Sequence, residues 1–66
     1  MKKQELIETL GDLATFFTLA AESAVTQANI ARKKGNSGHA SFNTGRKMAY
    51  DTAFTKLNGI IKEAKE

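Results

Sequence analysis

The chain has 66 residues, a formal net charge of +3, no cysteine and no proline. A core this small barely offsets the entropy of ordering the chain, roughly 1.5 kcal/mol per residue, so a staple or a partner subunit is expected. Without a thiol that staple is neither a disulfide nor a thiolate zinc site, and thiol catalysis is excluded.

The N-terminus, MKKQELIETLGD, is polar where a secretion signal would turn apolar. The richest apolar run, Leu13 to Ala21, is broken by Thr15 and Thr18 and falls far short of the roughly 20 residues that cross a bilayer. A soluble intracellular protein with no membrane partner is expected.

Leu6, Leu10, Leu13, Phe17, Ala20, Ala24, Ala28 and Ala31 recur at steps of four and three, which predicts a first helix over about 3–34. Arg32, Lys33 and Lys34 suit the negative end of its dipole, and Gly35 suits the left-handed residue that ends it. A turn over about 35–37 follows, with Asn36 or Ser37 as the favoured cap of the next helix. A start as late as Thr44 would leave an unusually long connection. Tyr50, Ala53, Phe54, Leu57, Ile60, Ile61 and Ala64 then mark a second helix over about 38–64. The expected fold is all-α: one domain, 1–66, folded as an antiparallel two-helix hairpin. Pairing about the turn puts Ala28 opposite Thr44 or Gly45 and Ala24 opposite Met48 or Ala49, so small residues meet near the turn. Close approach to Ala28 would explain a glycine at 45, inside a helix.

One partner helix covers only one stripe of so apolar a first helix. The interface expected with further copies comprises Ile7, Leu13, Phe16, Phe17, Leu19 and Phe54, with Ala14 or Ala21 beside them. A helical-bundle homo-oligomer follows, with four helices as the minimum.

Residues 32–51, RKKGNSGHASFNTGRKMAYD, carry the distinctive chemistry. Arg32, Lys33, Lys34, Arg46 and Lys47 lie within a stretch, Ser23 to Tyr50, that has no Asp or Glu. The expected ligand-binding set is Arg32, Lys34, His39, Asn43, Thr44, Arg46, Lys47 and Tyr50. Arg46 offers a planar fork for phosphate and Lys34 or Lys47 a point charge. Ser37, Ser41, Asn43 and Thr44 add hydrogen-bond donors, as do the free N–H groups at the start of the second helix. Phe42, His39 and Tyr50 offer rings for a base. Each feature also has a structural explanation: lysines follow many helix ends, Gly-Asn-Ser-Gly is ordinary turn composition, and aromatic residues usually pack in cores.

Catalysis is not expected. Asp51 lies about three helical turns from His39, too far for a triad in one chain. Gly35 and Gly38 form a turn with no Gly-Lys-Ser/Thr behind a strand, so no phosphate loop is present. One histidine and scattered acids suggest no metal or cofactor.

The run Thr44-Gly45-Arg46-Lys47-Met48-Ala49-Tyr50, leading into Phe54-Thr55-Lys56-Leu57, carries a resemblance. The chain is similar to the very short helical-hairpin proteins of bacteriophages. Its second helix resembles, over about 20 residues, that of the phage anti-CBASS sponges, helical oligomers that sequester cyclic-nucleotide immune signals. The resemblance implies a non-catalytic oligomer in a bacterial host's cytoplasm, holding a nucleotide signal between protomers, with Arg46 as the first contact residue. The other readings of the residues are a helical inhibitor or adaptor that docks on a host protein, and a nucleic-acid binder.

Overall fold

The computed structural model describes residues 2–66. Two helices, α1 (Lys3–Lys33) and α2 (Ser37–Lys65), pack against each other as an antiparallel hairpin, and among the described residues there is no strand. The helix bounds lie within a residue of those the periodicity predicts. The result is a rod of 49 × 14 × 13 Å.

Local chemistry makes the turn. The Asn36 N–H donates to the Ala31 carbonyl (2.8 Å) and the Gly35 N–H to the Arg32 carbonyl (3.0 Å), the paired bonds of a Schellman motif. Gly35 takes φ 76°, a left-handed conformation that a Cβ would strain. Asn36 then caps α2, its Oδ1 accepting from the His39 N–H at 3.0 Å. The early start of α2 is therefore the one adopted.

The seam between the helices follows an unbroken three-four alternation in each. In α1 it runs through Ile7, Leu10, Ala14, Phe17, Ala21, Ala24, Ala28 and Ala31; in α2 through Ala40, Asn43, Lys47, Tyr50, Phe54, Leu57, Ile61 and Ala64. All sixteen are buried or partly buried. Counted outward from the turn, the two series match position for position, Ala31 with Ala40 through to Ile7 with Ala64. This is the 3.5-residue repeat of an antiparallel coiled coil.

The seam corrects several expectations. Leu6, Leu13 and Ala20 do not form it; the residue after each, Ile7, Ala14 and Ala21, does. Each helix has two adjacent apolar stripes, and the stripe that matches the partner's repeat is the one buried. Ala14 and Ala21 are consequently core rather than oligomer surface. Ile7, Phe17 and Phe54, expected at an interface between copies, pack against the Ala14–Leu57–Ile61 cluster within the hairpin. Ala24, 0 % exposed, matches Lys47 rather than Met48 or Ala49. Gly45 is exposed, with open space where a Cβ would stand, so no close helix approach explains it.

Near the turn the buried apolar residues are alanines, and bulky ones occur only toward the open end. The accessible surface is 4845 Å², against about 4,100 Å² for a compact monomer of 7.2 kDa.

Candidate functional site

Because the seam fixes the rotation of both helices, it also sorts the turn-proximal side chains onto opposite sides of the rod. Residues just after each seam position share one long face. Residues just before each seam position share the other.

Arg32 and Thr44 lie on the first face. The Arg32 guanidinium donates through Nη1 to Asn29 Oδ1 (2.8 Å) and through Nη2 to Thr44 Oγ1 (3.2 Å), linking the helices. The Thr44 hydroxyl donates in turn to the Ala40 carbonyl (2.9 Å), which leaves its oxygen free to accept from Arg32. An open groove of about 420 Å³, lined by Arg32, Ser37, Ala40, Ser41, Thr44, Gly45 and Met48, crosses this face beside the turn. A smaller hollow, lined by Val25, Ala28, Arg32, Thr44 and Lys47, continues it along the seam. The larger lies within the size range of small-molecule sites.

The groove's electrostatics follow from its neighbours. The first turn of α2 contains no acid. By helix geometry the Ser37 and Gly38 N–H groups have no intrahelical acceptor, and they stand at the positive end of the helix dipole. Arg32 retains three N–H donors beyond the two already engaged. Lys47 is less available than an acid-free stretch suggests: its Nζ lies 2.6 Å from Asp51 Oδ2, one turn further on and just past that stretch. It holds the seam position that matches Ala24, while its ammonium reaches that carboxylate. Glu22 and Asp51, beside a third hollow further down the seam, limit the basic region to the turn end.

Arg46 and His39 belong to the opposite face, and Tyr50 lies beside them in the seam. Arg46 Nη1 donates to Asn43 Oδ1 (2.8 Å) and Nη2 lies 3.5 Å from Tyr50 Oη. Its guanidinium carbon sits 5.9 Å from the Phe42 ring centre and 5.7 Å from that of Tyr50. The rings are occupied by one another: His39 stacks on Phe42 at 6.3 Å, and Tyr50 leans on Phe17 at 6.2 Å, which meets Phe16 edge-on at 5.7 Å. Asn43 lies in the seam between the faces, 1 % exposed, with its Nδ2 donating to the His39 carbonyl at 3.0 Å. Lys34 caps α1 and is exposed at the tip.

The eight expected binding residues therefore do not form one pocket within the chain. The structure brings Arg32, Thr44 and Lys47 together and separates them from His39, Arg46 and Tyr50, with Asn43 buried between. Asn29, which orients Arg32, was not anticipated; its i, i+3 spacing from the arginine was the available signal. Among the described residues no group of His, Cys, Asp or Glu is placed to hold a metal. Among the same residues no helix is long and apolar enough to cross a membrane. Comparison with family models, curated proteins and solved structures finds no match to the chain.

Proposed function

We propose that the protein is a non-catalytic binding protein that works as a homo-oligomer and sequesters a phosphate-bearing, nucleotide-like anion at the turn end of the hairpin. The observation that carries this reading is the hydroxyl-lined groove at Arg32. A guanidinium held by Asn29 and Thr44 keeps three donors for a ligand, beside three side-chain hydroxyls and a helix N-terminus with no acid in its first turn. A phosphate group fits that donor set, and Val25 and Met48 supply apolar contact for the rest of a small ligand. No nucleophile and base are brought together there, so capture rather than turnover is proposed.

That the anion is a nucleotide signal, and that the setting is a phage-infected bacterial cytoplasm, rests on the resemblance of α2 to the anti-CBASS sponges. The two lines of argument differ over one residue: the resemblance puts Arg46 first, whereas the groove puts Arg32 first.

The experiment is native mass spectrometry of protein purified from cells, followed by denaturing extraction and mass analysis of what is released. The expected result is a cargo of a few hundred daltons containing phosphate, lost from Arg32→Ala and retained by Arg46→Ala. Loss from Arg46→Ala alone would move the site to the other face. A cargo-free wild type that also binds none of a panel of cyclic and linear nucleotides would end the reading.

A second reading, docking on a host protein, is favoured by the exposed Phe16 and Leu19.

A further inference from the structure

The face before the seam is apolar beyond what a lone hairpin needs. Of its sixteen positions, nine are apolar, against two on the face after the seam, Val25 and Met48. Leu6, Leu13, Phe16, Phe42 and Ile60 stand exposed along it, Phe16 at 59 %. A strip 49 by 14 Å offers on the order of 700 Å² before side-chain relief is counted, close to the roughly 800 Å² per partner of a stable interface.

We infer that this face is covered by a second copy of the chain, laid face to face and antiparallel, so that the two turns lie at opposite ends of a four-helix bundle. This rests on the assembly proposed above but not on its ligand. Two features select the occupant and its direction.

The first is shape. In an antiparallel two-fold stack α1 crosses α1 and α2 crosses α2. Phe16 of one copy then falls over Ala20 of the other, and Leu6 over Ile30. Apolar matching alone also permits a parallel stack, with Leu13 near Ile60.

Charge separates the two. The half of the rod nearest the turn carries five cations against only Glu22 and Asp51, whereas the five lysines of the open half are balanced by five acids. A parallel stack would bring two cationic ends together at separations comparable to the Debye length of about 8 Å, where their repulsion is only partly screened. The antiparallel stack places each cationic end over a neutral one and brings Glu63 of one copy beside Arg46 of the other. It also leaves the Arg32 groove, on the opposite face, open to solvent in both copies.

The test uses the full chain, which has no native cysteine. Sedimentation equilibrium gives the stoichiometry, and a spin label on Ser37→Cys gives the separation of the turns by pulsed dipolar spectroscopy. The expected result is a dimer with one dominant distance near 45 Å, from about 1.5 Å of rise per residue. Phe16→Glu should raise the dimer dissociation constant roughly 100-fold, because the symmetry buries the carboxylate twice. A wild type that stays monomeric would overturn both this inference and the assembly above. A dimer with turns about 25 Å apart or less would overturn only the direction inferred here. A Phe16→Glu chain as dimeric as the wild type would overturn the face.

Discussion

The two long faces of the hairpin are built from the same two helices, yet they differ in nearly everything that governs recognition. One carries Leu6, Leu13, Phe16, Phe42 and Ile60, together with an aromatic run from Phe16 through Phe17 and Tyr50 to the Arg46 guanidinium and the His39–Phe42 pair. The other carries Thr15, Thr18, Glu22, Asn29, Arg32, Ser41, Thr44 and Asp51, and its hollows combine hydroxyls and charges with small or apolar residues such as Val25, Ala28 and Met48. The two arginines show what the difference does. Arg32 is exposed and keeps donors in reserve, whereas Arg46 is partly buried, laid against rings and committed to a buried asparagine. The same residue type, on the two sides of one seam, is suited to a ligand in one case and to packing in the other.

The sharpest way to break this comparison is to place a carboxylate on each face in turn. Leu13→Glu should dissociate the assembly and lower the midpoint of thermal unfolding by several degrees, because it removes apolar burial and strands a charge there. Thr15→Glu, two residues away on the other face, should change stability by no more than about 0.5 kcal/mol. Circular dichroism melts with sedimentation check both, and equal effects would mean that the faces are not distinct.

A smaller effect is expected at Arg46. Its removal takes the Oδ1 partner from Asn43, which is 1 % exposed. An unpaired buried amide oxygen costs about 1–3 kcal/mol, here toward the low end because the deletion admits water. Urea unfolding of Arg46→Ala should show that loss, while Arg32→Ala, which leaves no fully buried group unpaired, should show almost none.

The smallest expected effect is a gain. Gly45 lies mid-helix with nothing within 4 Å of the position a Cβ would take. Gly45→Ala should stabilise the fold by up to about 1 kcal/mol through helix propensity alone. A loss would mean that an unseen neighbour, in the assembly or in the adjoining groove, occupies that space.

Much of the fold is legible in the sequence because its causes are local. Apolar residues at helical spacing, the missing proline, the cations ahead of Gly35 and the capping side chain of Asn36 each act within a few residues, and together they set two helices and a tight turn. What is not legible is the rotation of each helix about its own axis. In α1, Leu6-Leu13-Ala20 and Ile7-Ala14-Ala21 are both plausible core stripes when that helix is read alone. A signal was nonetheless present: only the second series continues as an unbroken three-four repeat that mirrors the one in α2 about the turn. Asn43 and Lys47 hid that mirror, since polar residues interrupt the apolar pattern exactly where the seam passes between them and the alanines of α1.

The candidate site was harder to read for the same reason. Eight residues within a cationic stretch look like neighbours, but consecutive positions on a helix point about 100° apart. Whether Arg46 meets Arg32 therefore depends on how α2 is rotated against α1. The sequence by itself determined the elements, their order, the turn that reverses the chain and the concentration of cations beside it, because each follows from bonding and charge over short chain distances. Only the tertiary structure decided which stripe is core, which arginine faces the groove and which apolar side chains remain uncovered. Those outcomes come from matching one helix's side chains against the other's, a relation between residues far apart in the chain.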